Sequence, residues 1–196
     1  INSLIKRYFD EQKDDEFIPG KTKIPLAVPQ FGSDEVIEAM ESLISTWVTM
    51  GKKVKTFESQ FSEYVGQKKG LMVNSGSSAN LLALNSLNFK KGSEIITTSL
   101  TFSTTIAPIY QLGLTAHFIG VLENKFIADT SQIEDCINNK TVAIMIPNLL
   151  GNIPNWKKIN RIAKKYKLKV IEDSADTIGY KINNKINSNN SDVVTN

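Results

Sequence analysis

Short apolar runs alternate with segments whose apolar positions recur at helical spacing along most of the chain. The runs Gly70–Val73, Glu94–Thr98, Ala116–Val121, Val142–Pro147 and Lys167–Glu172 read as strands. The intervening segments Ser77–Leu87, Ser103–Leu112, Ser131–Asn138 and Trp156–Lys165 read as helices. Strict alternation of this kind predicts an α/β fold, a mainly parallel sheet covered by helices on both faces. The runs Val142–Ile146 and Leu168–Ile171 are rich in branched residues, as strands buried on two faces should be. Ligands of such sheets collect at the carboxyl ends of the strands, so the search for a site starts there.

Upstream, two helices are expected. One starts at Ser33 as N-cap, with Asp34 and Glu35 in its first turn and Val36, Ile37, Met40, Leu43 and Ile44 on one stripe. The next carries Val54, Phe57, Phe61 and Tyr64 and ends at Gly66. Residues 1–30 read as a peripheral arm: a charged helical segment near Leu4–Asp15, then Pro19, Gly20, Pro25 and Pro29, which break regular structure. At the far end, Asn183-Asn184 suggests a hairpin turn and Asp192–Asn196 the start of another strand. A domain rarely stops on an opening strand, so a fragment of a longer protein is the expectation.

Composition narrows the function classes. The 23 basic and 20 acidic residues leave a net charge of only +3. The lysine pairs at 52–53, 68–69 and 157–158 read as solvated helix ends, not as a nucleic-acid face. One cysteine, Cys136, excludes an internal disulfide and a multi-cysteine metal site, and it reads as a packing residue on a helix. The single histidine, His117, lies in a strand-like run and reads as structural. No apolar run is long enough for a membrane span and no signal peptide is visible, which makes a cytoplasmic protein the default expectation.

Three segments carry candidate chemistry. Asn74-Ser75-Gly76-Ser77-Ser78-Ala79-Asn80 lies between a strand end and a helix start. Glycine permits close ligand approach, and helix N-terminal amides attract an anion, so Ser75, Gly76 and Ser77 form a candidate phosphate cup. The bland alternative is a serine N-cap. The required glycines and lysine of nucleotide-binding loops and of a nucleophile elbow are missing. In Val170-Ile-Glu-Asp-Ser-Ala-Asp176, Asp173 is a candidate partner for a protonated pyridine nitrogen. Its alternatives are an N-cap aspartate or a metal ligand beside Asp176. In Ser99-Leu-Thr-Phe-Ser-Thr-Thr105, Phe102 is either a ring-stacking aromatic or a core residue.

In that order, the three segments resemble motifs of the DegT/DnrJ/StrS family of pyridoxal-phosphate (PLP) dependent nucleotide-sugar enzymes. Trp47-Val-Thr-Met-Gly51 and Phe57-Glu58 resemble its N-terminal region. The resemblance runs from about residue 30 to the end. It implies the fold-type I large domain, a three-layer αβα architecture over residues 31–196, truncated before the reactive residue and a C-terminal small domain. That residue is a lysine in the transaminases and a histidine in the dehydrases, and no lysine of this chain stands in its context. Carried over by resemblance, Gly76 and Ser77 bind the phosphate, Phe102 stacks on the ring, and Asp173 holds the ring nitrogen. Ser75, Asp176 and Asn148 complete the implied cofactor site, with Asp173 and Asp176 in catalytic roles. The aminotransferases usually carry glutamine where this chain has Asp176. Asp176 and Asn148-Leu-Leu-Gly-Asn152 look closer to the CDP-4-keto-6-deoxyglucose-3-dehydrase branch. The iron–sulfur members of that branch have cysteine where this chain has Ala175, which argues against a cluster.

The expected function is therefore a PLP- or pyridoxamine-phosphate (PMP) dependent C3 dehydration of a nucleotide-linked 4-keto-6-deoxy sugar, in deoxysugar or lipopolysaccharide biosynthesis. The alternatives are a nucleotide-sugar aminotransferase and, in another class, a non-catalytic binding module. The resemblance further implies a homodimer, with a reductase as a further partner, and no nucleic-acid or membrane partner.

Overall fold

A computed structural model describes residues 1–12, 17–25, 30–182, 185–186 and 191–196. It divides into two compact units, Ile1–Lys55 and Thr56–Asn196. In the first unit, helix α1 (Asn2–Glu11) packs against helix α2 (Ser33–Ile44). The expected end of the first helix near Asp15, and Pro29, lie outside the described residues. Ser33 is the first helical residue and Gly32 the cap, one position earlier than expected. The cause is Glu35, whose carboxylate accepts from the Gly32 amide at 2.7 Å and closes the helix start from inside. Farther on, the Trp47 indole donates to the Met50 carbonyl at 3.2 Å and lies where a Cβ on Gly51 would stand. Helix α3 (Lys52–Tyr64) begins in this unit.

The second unit holds a five-stranded parallel sheet, in the order β2 (Thr115–Ile119), β1 (Glu94–Thr98), β3 (Thr141–Pro147), β4 (Lys169–Asp173), β7 (Val193–Thr195). The α/β expectation holds, with helices on both faces. Side chains alternate between the faces along each strand. Ile96, Ile144, Ile146 and Val170 pack on one face against Trp156, Ile159, Ile162 and Ala163 of helix α6 (Trp156–Tyr166). Ile95, Ala143, Met145 and Ile171 pack on the other. There they meet Ala83 and Leu84 of helix α4 (Gly76–Ser86) and Ile109 of helix α5 (Ser103–Gln111). These are the three layers: α6, the sheet, and α4 with α5. Among the described residues no helix is long and apolar enough to cross a membrane.

Two expected elements differ. Gly70–Val73 pairs with no described strand, and the Met72 amide donates instead to the Glu58 carboxylate at 2.9 Å. Ser131–Asn138 supplies only a short 3-10 turn, Glu134–Cys136, instead of a helix. The turn is pinned at both ends by short polar side chains. Asp129 accepts from the Ser131 amide, and the Asn138 amide is bound by Thr141 Oγ1. Lys165 and Tyr166 at the end of α6 donate to Glu134, which holds that carboxyl below its ordinary range. Cys136 is therefore on the turn, against the α6-side core. His117 lies on β2, 3.6 Å from Glu94. The predicted turn at Asn183-Asn184 is outside the described residues, between the antiparallel pair β5 (Lys181–Ile182) and β6 (Lys185–Ile186).

Ile144 is fully buried at the centre of the sheet. Its replacement by alanine should lower the unfolding free energy in urea by about 2–5 kcal/mol, whereas Ile182→Ala, at an exposed position, should change it by less than about 0.5 kcal/mol. Equal losses at the two positions would contradict this assignment of the core.

Candidate functional site

Because the five strands are parallel, the residues after β1, β3 and β4 emerge at the same, carboxyl end of the sheet. Phe102 follows β1, Asn148 follows β3, and Asp173 ends β4 with Asp176 three residues beyond. Pairing of Pro147 with Asp173 and of Asp173 with Thr195 aligns three neighbouring strand ends.

Glu172 and Asp173 are consecutive on a strand, so their side chains go to opposite faces. Val170 belongs to the α6-side core and Ile171 to the other, so Glu172 falls on the side of α6 and Asp173 on the side of α4 and α5. Both carboxylates are buried, and a buried charge requires hydrogen-bond partners. Asp173 Oδ2 accepts from Asn80 Nδ2 at 2.9 Å and from Thr105 Oγ1 at 2.8 Å. Its Oδ1 receives only a long 3.4 Å bond from the Ala175 amide. No cationic side chain pairs with Asp173 among the described residues. Glu172 Oε1 accepts from Asn148 Nδ2 at 2.9 Å and Ser174 Oγ at 2.7 Å, and Oε2 from Ser191 Oγ at 3.1 Å.

Asn148 is the hub of the Glu172 side. Its Nδ2 also lies 2.7 Å from Ser174 Oγ, and its Oδ1 accepts from the Trp156 indole at 2.9 Å. Every polar atom of this buried amide is committed to the protein, so Asn148 supports that end of the sheet from below. Asp176, which is exposed, accepts from the Leu150 amide at 2.8 Å through Oδ2. Leu150 has φ of 53°, a left-handed conformation that a leucine adopts only when its surroundings hold it there.

The candidate cup lies at the start of α4. Ser75 is its N-cap, accepting from the Ser78 amide at 3.2 Å, so the serine-cap reading holds for this residue. Capping leaves the Gly76 and Ser77 amides, which have no partner within the helix, directed outward. A Cβ at Gly76 would meet nothing within 4 Å, so an anion has open space against this backbone. Phe102 caps α5 and is 69% exposed, which rules out a core role. A cavity of about 350 Å³ reaches Asn74, Ser75 and Gly76 from the side of Val194 and Thr195, but includes neither Phe102 nor Asp173. No group of three or more metal-ligating side chains occurs among the described residues.

Asn80 and Thr105 end two of the candidate segments without a role assigned to them from the sequence, and Thr195 lies outside all three. Their one signal is a polar residue at a buried helix or strand position, as with Asn80 before Leu81-Leu82-Ala83-Leu84.

Known proteins resemble this chain over most of its length. Residues 29–195 match the model of the DegT/DnrJ/EryC1/StrS aminotransferase family. The chain is 36% identical over 188 residues to lipopolysaccharide biosynthesis protein RfbH of Salmonella typhimurium, covering 91% of this chain and 43% of that protein. It is 33% identical over 203 residues to dTDP-4-dehydro-2,6-dideoxy-D-glucose 3-dehydratase of Saccharopolyspora spinosa, covering 100% and 44%. The structure of E. coli GDP-4-keto-6-deoxy-D-mannose-3-dehydratase with bound hydrated PLP superposes with a TM-score of 0.79 at 36% identity, over 83% of this chain and 43% of that one. The chain thus spans less than half the length of the curated relatives it matches.

Trp156→Phe keeps an aromatic ring but removes the indole donor to Asn148. The expected loss is about 1–3 kcal/mol of unfolding free energy, because a buried acceptor is left without its partner. A loss indistinguishable from zero in urea titrations would mean that the Asn148 amide is satisfied in another way.

Proposed function

The chain belongs to the DegT/DnrJ/EryC1/StrS aminotransferase family, and we propose that it forms the cofactor-holding part of a PLP- or PMP-dependent enzyme that removes the C3 hydroxyl of a nucleotide-linked 4-keto-6-deoxy sugar. The observation that carries the reading is Asp173, a buried carboxylate at a strand end with neutral donors and no cationic partner among the described residues. A protonated pyridine ring fits that requirement, and Asp173 Oδ1 has accepting capacity to spare. When bound, PLP or PMP supplies an electron sink for charge developing on the sugar.

The remaining roles follow from position. Gly76 and Ser77 would hold the phosphate through amides at the start of α4, a favourable place for negative charge. Ser75 shapes that turn as its cap. Phe102 would cover one face of the ring. Asp176 would hold the Leu150 turn at the mouth of the site through Oδ2, leaving Oδ1 for cofactor or sugar. Asn148 would act by fixing Glu172 and the Ser174 backbone that follows Asp173, not by touching the ring.

Asp176 favours deoxygenation over amino transfer, since the family's aminotransferases usually carry glutamine there. The 3-dehydratases among the relatives support the same choice. Amino transfer is the second reading, supported by the transaminases that also match. A homodimer, a reductase partner and a cytoplasmic setting belong to the same proposal and rest on the family resemblance. Residues 31–196 would be the large domain, and residues 1–30 its arm.

Asp173→Asn in the full natural chain carrying these residues tests the reading. The asparagine oxygen can still accept from Asn80 and Thr105, so the thermal midpoint should hold within a few degrees. Its NH₂ then faces the ring proton, and turnover of a 4-keto-6-deoxy sugar nucleotide should fall by roughly 10²-fold or more. Retained turnover would refute the role of Asp173. Failure of the unsubstituted chain to bind either PLP or PMP in equilibrium dialysis would refute the enzyme reading as a whole.

A further inference from the structure

Asn80 is 2% exposed on the face of α4 that packs on the sheet, where a leucine would bury more cheaply than an amide. Its hydrogen-bonding capacity is nonetheless filled. Nδ2 donates to Asp173 Oδ2 at 2.9 Å and to the Thr104 carbonyl at 3.2 Å, while Oδ1 accepts from Thr195 Oγ1 at 2.6 Å. A flipped amide would set its oxygen against two acceptors, the Asp173 carboxylate and the Thr104 carbonyl. The two acceptors, Asp173 Oδ2 and the Thr104 carbonyl, thus fix which end of the amide meets Asp173, and Thr195 on β7 anchors the other end through a hydroxyl that also lies 3.4 Å from the Glu172 carbonyl. A second relay runs from Thr101 Oγ1 to Thr105 Oγ1 at 2.9 Å and on to the same Oδ2. All neutral side-chain donors to Asp173 therefore converge on one oxygen, and the other keeps only the long backbone contact.

The helix adds a second constraint. Asn80 lies four residues after Gly76, roughly 6 Å along the helix axis. One rigid element presents the amides of the candidate cup at its end and grips the candidate ring acid one turn later.

We infer that Asn80, anchored at its oxygen by Thr195, is a positioning residue that holds Asp173 Oδ2 and turns Oδ1 toward the cofactor ring, keeping the ring nitrogen protonated. This rests on the PLP/PMP reading above. Donors on Oδ2 stabilise the charged carboxylate, so the shared proton stays on the ring and not on the acid.

The test uses the full natural chain loaded with PMP labelled with ¹⁵N in the ring, and the variants Asn80→Leu, Thr195→Val and Thr195→Ser. In the unsubstituted chain the ring nitrogen should resonate at the protonated position. In Asn80→Leu and Thr195→Val it should move toward the unprotonated value, and in Asn80→Leu PMP affinity should fall roughly tenfold, as expected for losing one hydrogen bond to a charged group, with a smaller fall in Thr195→Val, which loses a bond to the neutral amide. Thr195→Ser, which keeps the hydroxyl, should restore both. A merely structural role would lower the thermal midpoint without moving the resonance of the bound fraction. A wild-type resonance in both disruptive variants overturns the inference, as does failure of Thr195→Ser to restore it. If Asn80→Leu does not fold, Thr195→Val decides alone, since it alters only one methyl-sized group. Absence of PMP and PLP binding by the unsubstituted chain would instead bring down the cofactor reading itself, a distinguishable result.

Discussion

Two carboxylates stand side by side at the end of a buried strand, and most of the polar structure around them follows from that. Glu172 is 0% exposed and Asp173 7% exposed. An ion removed from water loses several kcal/mol even after relaxation, and a hydrogen bond to a charged group returns about 1.5–3 kcal/mol. One donor is not enough for either residue, so each draws several. Because the two point to opposite faces, the donors come from different layers. The α6 layer contributes Trp156 acting through Asn148, and the α4–α5 layer contributes Asn80 and Thr105. The carboxylates thereby tie both helical layers to the same strand end.

That arrangement also distinguishes the two acids. Glu172 is enclosed by Asn148, Ser174 and Ser191, and neither of its oxygens lacks a hydroxyl or amide donor. Asp173 is supported on one oxygen and nearly bare on the other. Saturation suits an acid that holds a turn in shape. Asymmetry suits an acid that has to meet something else.

The strand and helix pattern was legible because it depends on local periodicity. The branched residues of β3 and β4 and the helical stripe of α6 are short-range signals, and the three layers are their direct consequence. Gly76 and Asp173 were legible as candidates because glycine and a strand-end carboxylate are conspicuous in composition. The supporting residues were not. Asn80 meets Asp173 across 93 positions and Thr195 across 115, and a threonine on a strand looks like any other threonine. The misread Ser131–Asn138 helix has a local cause. Asp129, Asn138 and Thr141 offer the backbone side-chain partners that compete with helical ones, and apolar spacing alone carries no information about that competition. Gly70–Val73 has strand composition, but a strand exists only with a partner, and Glu58 has taken the amide of Met72.

The helix α4 carries this logic to its end. A loop could present an anion cup, and another loop could steady Asp173, but two loops would fluctuate independently and the spacing between the candidate cup and the acid would blur. Here the spacing is set by one turn of hydrogen-bonded helix, whose Ala83 and Leu84 are packed into the same core as Ile171 of β4. The apolar contacts fix the helix on the strand. The Asn80 amide then translates that fixed position into the orientation of a single carboxylate. Packing and polar geometry are therefore not separate contributions at this site. The core determines where α4 lies to within a side-chain contact, and the hydrogen bond inherits that accuracy, which is what a preorganised acid needs before any ligand arrives.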